Sequence, residues 1–170
     1  MVMGGRSTGY ITYERFLDFP EFAQSVGPRD QGGFGVFQGV VTSEGGGGFS
    51  SIRSGMMAEV NCSAAAGLSI WGRGDGRVYK LQVTCDRLIP GVKYQVEFET
   101  PRDEWVQLRF KWNDFRASVR GQMVLGAPAF TGQGITSLGL LTSKLTSSGG
   151  SNAKFQSGPF RLEIASISEF

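Results

Sequence analysis

No histidine occurs among the 170 residues. The chain therefore lacks the usual general base near neutral pH and the commonest metal ligand. Ser-His-Asp and Cys-His nucleophile schemes are closed to it. Acid chemistry would have to come from carboxylates, and Asp75, Asp86, Glu97, Glu99, Asp103, Glu104 and Asp114 cluster along the chain. Glu97 and Glu99 alternate against apolar neighbours, so both point to one strand face, as a glycoside-hydrolysing pair would, but that face reads as the solvent side. Cys62 and Cys85 form no CxxC pair, and two cysteines without histidine do not make a four-ligand zinc site. They read as two buried or half-buried thiols, with a disulfide between them as the alternative. No metal or cofactor is expected.

The densest constellation is Gly72-Arg73-Gly74-Asp75-Gly76-Arg77-Val78-Tyr79. Asp75 between two glycines, flanked by Arg73 and Arg77, has the chemistry to bind a sugar hydroxyl or a partner's backbone. The same Asp-Gly pair is also what a tight turn needs, with the carboxylate accepting from the turn's own amides. Arg53 ends a strand and either pairs with an inner acid or faces a partner. Trp71 is core or a stacking platform for a sugar ring, with Trp105 and Trp112 as further platforms. Residues 102 to 120 carry Arg102, Arg109, Lys111, Arg116 and Arg120 against Asp103, Glu104 and Asp114, a modest basic patch in a chain of net charge +2. The candidate binding residues are thus Arg53, Trp71, Arg73, Asp75, Arg77, Arg109, Arg116 and Arg120.

Strands must position these groups. Apolar residues alternate with polar ones at Tyr79, Leu81 and Val83, at Tyr94, Val96 and Phe98, and at Val106, Leu108, Phe110 and Trp112. That period of two marks half-buried strands. Further strands are expected over 34–42, 49–54, 68–73, 135–143 and 160–167. The turn chemistry between neighbours suggests three hairpins, 34–42 with 49–54, 68–73 with 79–84, and 93–99 with 106–112. The four glycines at 45–48 lack the Lys-Ser/Thr of a phosphate loop and read as a hairpin tip. Residues 144–157 read as a long polar loop. Helical signals are confined to one turn at 113–115 and another at 20–25 with Asp18 as cap.

The 26 glycines have no collagen-like period, so they belong to turns between many short strands. A charged fraction of 19% against 40% hydrophobic residues excludes a disordered chain. No run nears the roughly 20 apolar residues of a membrane helix. The opening Met1-Val2-Met3-Gly4-Gly5-Arg6-Ser7 has neither a signal-peptide nor a transit-peptide plan. One all-β sandwich or jelly roll spanning 1–170 is expected, without a βαβ rhythm.

Several motifs in order resemble the complex I intermediate-associated protein 30 family. They are Val2-Met3-Gly4-Gly5 with Ser7, Phe37-Gln38-Gly39-Val40-Val41, Gly47-Gly48-Phe49 with Ile52-Arg53-Ser54, and Gly74-Asp75-Gly76-Arg77 with Tyr79-Lys80. Asp114-Phe115-Arg116, Arg120-Gly121, Ala127-Pro128, Leu138-Gly139-Leu140 and Gly158-Pro159-Phe160-Arg161-Leu162 follow. Members carry an Asp just upstream of Val-Met-Gly-Gly, so the resemblance implies a cut N-terminal edge. It implies a galactose-binding-like β-sandwich without catalysis, acting as an accessory or assembly factor that binds protein subunits of an organellar energy-converting membrane complex. The stretch Asn152-Ala153-Lys154-Phe155 is similar to the plastid type, so a chloroplast and a photosynthetic complex are favoured over a mitochondrion and respiratory complex I. A carbohydrate-binding module and an RNA-binding organellar expression factor are the alternatives.

Overall fold

The computed structural model describes residues 2–3, 5–15, 32–85 and 90–170. Among them, strands form two sheets. The larger runs β1 (Val2–Met3), β4 (Phe49–Arg53), β11 (Ser137–Ser143), β6 (Val78–Thr84), β7 (Lys93–Glu99), β9 (Arg116–Val119) and β10 (Gln122–Met123), in that spatial order. The smaller runs β2 (Tyr10–Arg15), β3 (Gly33–Val41), β12 (Gly158–Glu169), β5 (Gly67–Gly74) and β8 (Val106–Lys111). Every ladder is antiparallel.

The alternation read from sequence sets the inner faces. Tyr79, Leu81 and Val83 of β6 and Tyr94, Val96 and Phe98 of β7 are buried, and so are Phe37, Val41, Leu68, Ile70, Phe160 and Leu162 of the facing sheet. Each such side chain contributes about 1.5–3 kcal/mol through removal from water. At one end Phe130 plugs the gap between the sheets. It stacks on Tyr94 at 5.0 Å and meets Trp112 and Phe115 edge-on at 5.3 and 5.4 Å. Gly132, at φ +80°, is required there, because a Cβ would stand 2.7 Å from the Trp112 ring.

All three expected hairpins are corrected. β3 and β4, β5 and β6, and β7 and β8 each lie in opposite sheets. A period of two says which residues face inward, and it is the same whether the chain turns back beside itself or crosses to the other sheet. The crossing links are tied down locally. Asp103 N–H donates to Gly74 C=O at 2.9 Å, pulling the β7–β8 link to the end of β5. Lys144 N–H donates to Gly48 C=O at 2.7 Å, and the glycines expected at a hairpin tip include a 3-10 turn at Glu44–Gly46 instead. One hairpin does join β9 to β10, through Arg120 and Gly121 at φ 49° and 81°. Positive φ at both central residues is what a type I′ turn demands. The helical turn expected after Trp112 is a 3-10 turn at Trp112–Asp114, with Asp114 accepting from Lys111 N–H. The turn expected at 20–25 lies outside the described residues. Cys62 is half-buried and Cys85 buried, and no disulfide joins the two.

Candidate functional site

The link between β5 and β6 holds Asp75, and its carboxylate is fully committed. Oδ1 accepts from Tyr79 Oη at 2.9 Å and from Arg77 N–H at 3.2 Å; Oδ2 accepts from Arg161 N–H at 3.1 Å and lies 3.2 Å from Arg77 Nε. Burial, and after it the charge and hydrogen bond of Asp75, hold the Tyr79 hydroxyl well above the usual phenol range. Arg77 in turn donates to Pro159 C=O at 2.8 Å and to Gln156 C=O. Asp75 therefore fastens the β5–β6 crossing to β12. It has no acceptor left for proton transfer.

Beside it, on the outer face of the smaller sheet, Glu163 is 1% exposed. Arg73 and Arg161 clamp it: Arg73 Nη2 donates at 2.9 Å and Arg161 Nε at 2.8 Å, and Arg73 Nε also bonds it. Arg161 reaches on to Gln38 at 2.9 Å and Glu14 at 3.0 Å. Burial alone would lower the Arg161 pKa, but these acids raise it. The Arg73 guanidinium lies 5.8 Å from the Trp105 ring centre. Trp71 and Trp105 pack against buried Phe34, Val36 and Ala165 on the same face. A cavity of about 930 Å³ opens next to the cluster, lined by Tyr10, Gln38, Asp75, Arg77, Arg102 and Arg161 among others.

The eight candidates thus fall into separate groups. Arg73, Asp75 and Arg77 join one network near Trp71 and Trp105. Arg53 and Arg116 share one row across the outer face of the larger sheet, in the register Arg53–Gly139–Gln82–Gln95–Arg116. Arg109 stands on the outer face of the smaller sheet, 5.2 Å over the Phe170 ring, and Arg120 tips the β9–β10 hairpin. The expected basic patch over 102–120 is accordingly split between the two sides of the sandwich. Trp112 belongs to the end plug, its Nε1 donating to Ala65 C=O at 2.7 Å.

Three residues were not singled out in the sequence. Glu163, Lys80 and Gln95 occupy positions that alternation assigns to the outer faces, yet they are 1%, 2% and 1% exposed. Only the spacing of Arg161 and Glu163 on one strand face hints at the first. Lys80 and Glu97 pair at 3.8 Å and pin the long polar loop, Lys80 donating to Leu145 C=O at 2.7 Å and Glu97 accepting from Ser147 N–H. Glu99 pairs with Lys154 at 2.6 Å. The two glutamates that would have made a carboxylate pair each serve a lysine.

A family 11 carbohydrate-binding module of the cellulosomal cellulase Lic26A-Cel5E of Clostridium thermocellum superposes with a TM-score of 0.56 over 96% of this chain and 87% of its own, at 11% identity. That likeness shows the fold, a galactose-binding-like β-sandwich. A sialidase aligns over 82% of this chain and 15% of its own, with a TM-score of 0.38 and 9% identity, too distant to bear on the fold. No curated protein matches the sequence. A family model does match residues 1–164, nearly all of the strands described above, and the chain belongs to the complex I intermediate-associated protein 30 (CIA30) family.

Proposed function

We propose that this chain is a non-catalytic, protein-binding accessory or assembly factor of a large membrane-bound energy-converting complex in an organelle, working as one domain over 1–170. The family match over residues 1–164 carries the reading, since the family is named for association with complex I intermediates. The charge distribution supports a binding role. Asp75, Glu97, Glu99 and Glu163 are each held by arginine or lysine, and they act as fasteners between strands and loops. Arginines that stand outside these networks, Arg53, Arg109 and Arg120, are exposed and offered to a partner, while the exposed Arg116 donates to the carbonyls of Asn113 and Phe115. Among the described residues no helix is long and apolar enough to cross a membrane.

Within this reading we favour a photosynthetic complex in a chloroplast over respiratory complex I in a mitochondrion, on the likeness of Asn152-Ala153-Lys154-Phe155 and Gly158-Pro159-Phe160 to plastid members. The test is purification of the tagged protein from mitochondrial and plastid membranes of its native cells under mild detergent, with the co-purifying subunits identified. Subunits of an assembly intermediate are expected, and their membrane of origin decides between the organelles. Recovery of the free chain alone from both would overturn the reading.

The carbohydrate-binding alternative has little to stand on in the geometry, because Trp71, Trp105 and Trp112 are packed against neighbouring side chains. The RNA alternative needs one continuous basic surface, whereas Arg109 and Arg116 lie on opposite sides of the sandwich.

A further inference from the structure

On the outer face of the larger sheet two long cationic side chains stand over a floor of small ones. Arg53 rises from β4 and Lys93 from β7, three strand spacings or about 14 Å apart across the sheet and two residues or about 7 Å apart along the strands. Between them β11 contributes Ser137 and Gly139, and β6 contributes Thr84 and Gln82. Gly139 matters for this shape: a Cβ there would sit 2.8 Å from Ile52 C=O, and the floor would rise. Gln95 and Arg116 continue the row beyond β6.

The electrostatics of this trough are unbalanced. Glu97 and Glu99 on the same face are taken by Lys80 and Lys154. Arg116 spends its guanidinium on the carbonyls of Asn113 and Phe115. Among the described residues, Arg53 and Lys93 have no acidic partner. Burial, and then the nearby Arg53 charge, lower the Lys93 pKa. Two unpaired cations are thus crowded together over polar atoms that are also unsatisfied. Gln95 Nε2 and Ser137 Oγ, in side chains that are each 1% exposed, have no hydrogen-bond partner. Buried polar groups left in this state are uncommon and ask for an explanation.

We infer that this trough is the docking site for an acidic segment of a partner protein, whose carboxylates lie between Arg53 and Lys93. The inference rests on the protein-binding reading and adds the face and the chemistry of the contact. A carboxylate relieves the repulsion between the two cations and favours the charged form of Lys93. Acidic protein is favoured over acidic glycan because the rows carrying Arg53 and Lys93 present no aromatic ring on which a sugar would stack.

The full chain is incubated with a short glutamate-rich synthetic peptide and a water-soluble carbodiimide, which joins a carboxylate to an amine without a spacer, and the joined residue is mapped by mass spectrometry. Lys93 is the expected site, and its lowered pKa favours reaction near neutral pH. Arg53→Glu with Lys93→Glu is expected to weaken peptide binding about tenfold, and added salt is expected to weaken it in the wild type. Lys93→Arg keeps the charge and should retain binding while losing the cross-link, which separates contact from misfolding. Lys111→Glu, on the other sheet, should change neither. Cross-links spread over the other lysines, unchanged binding in the doubly reversed variant, or binding of a sulfated glycan with none of the peptide would each overturn the proposal. A doubly reversed variant that still co-purifies with the complex overturns this face while leaving the assembly reading intact. A wild type that cross-links at Lys93 but co-purifies with nothing supports the face and removes the assembly reading.

Discussion

Asp75 shows how far a single residue type can be read. Its place between two glycines announces a tight link, and the bond to Arg77 N–H two residues on is the local capping such a link predicts. The bond to Arg161 N–H comes from a strand 86 residues away, which no local pattern encodes. Asp75→Ala takes away the acceptor of the Tyr79 hydroxyl and of the Arg161 N–H, and the ion pair of Arg77, so we expect a loss of about 3 kcal/mol in denaturant unfolding. Tyr79 reports on the same cluster through pH. Its folded pKa lies above that of the unfolded chain, near 10, so its contribution is fully present below about pH 10 and is lost as pH rises beyond it. The unfolding midpoint of the wild type should therefore fall more steeply between about pH 9 and 11 than that of Tyr79→Phe.

At the scale of elements, each strand expected from period-two alternation is present to within a few residues, because inner-face burial writes itself directly into that alternation. β1, β9 and β10, of two to four residues, are too short to show a period, and the exposed β2 escaped notice for the converse reason: its Ile11 and Tyr13 are 57% and 63% exposed, so burial leaves no apolar signature there. Strand pairing was illegible, since partners are chosen by links whose ties, such as Asp103 to Gly74, are formed only in three dimensions. The polar loop after β11 was legible as a loop but not as one fastened to the sheet beneath it. Lys80→Met leaves Leu145 C=O and Glu97 without their cation, and it should cost about 2 kcal/mol. Hydrogen exchange should locate the damage, with the Ser147 amide accelerated far more than amides in β6 or β11. Equal acceleration throughout would mean that Lys80 acts through the core and not through the loop. On the opposite sheet, Glu163→Ala leaves Arg73 and Arg161 facing each other without their shared acid, with a loss of about 3–5 kcal/mol in the same unfolding assay.

Across the whole molecule, the two-sheet architecture sorts the charges into distinct surfaces. Basic residues that are neighbours in sequence, Arg109 and Arg116, end on opposite sides, while Arg53 and Lys93, 40 residues apart in the numbering, share one trough. Arg53 was a candidate from sequence and Lys93 was not, because their shared face exists only once the sheet is assembled. The fold itself is of a kind that also serves carbohydrate binding in a distant likeness, and it leaves function to the surfaces. Membership of the CIA30 family carries the proposal of a protein partner, and the trough of cations is the surface proposed for that partner. The most direct test is native co-purification. Tagged wild-type chain is expected to leave its organelle membranes together with subunits of a partly assembled energy-converting complex; a chain that emerges from every membrane preparation by itself, at its own mass, would contradict the account.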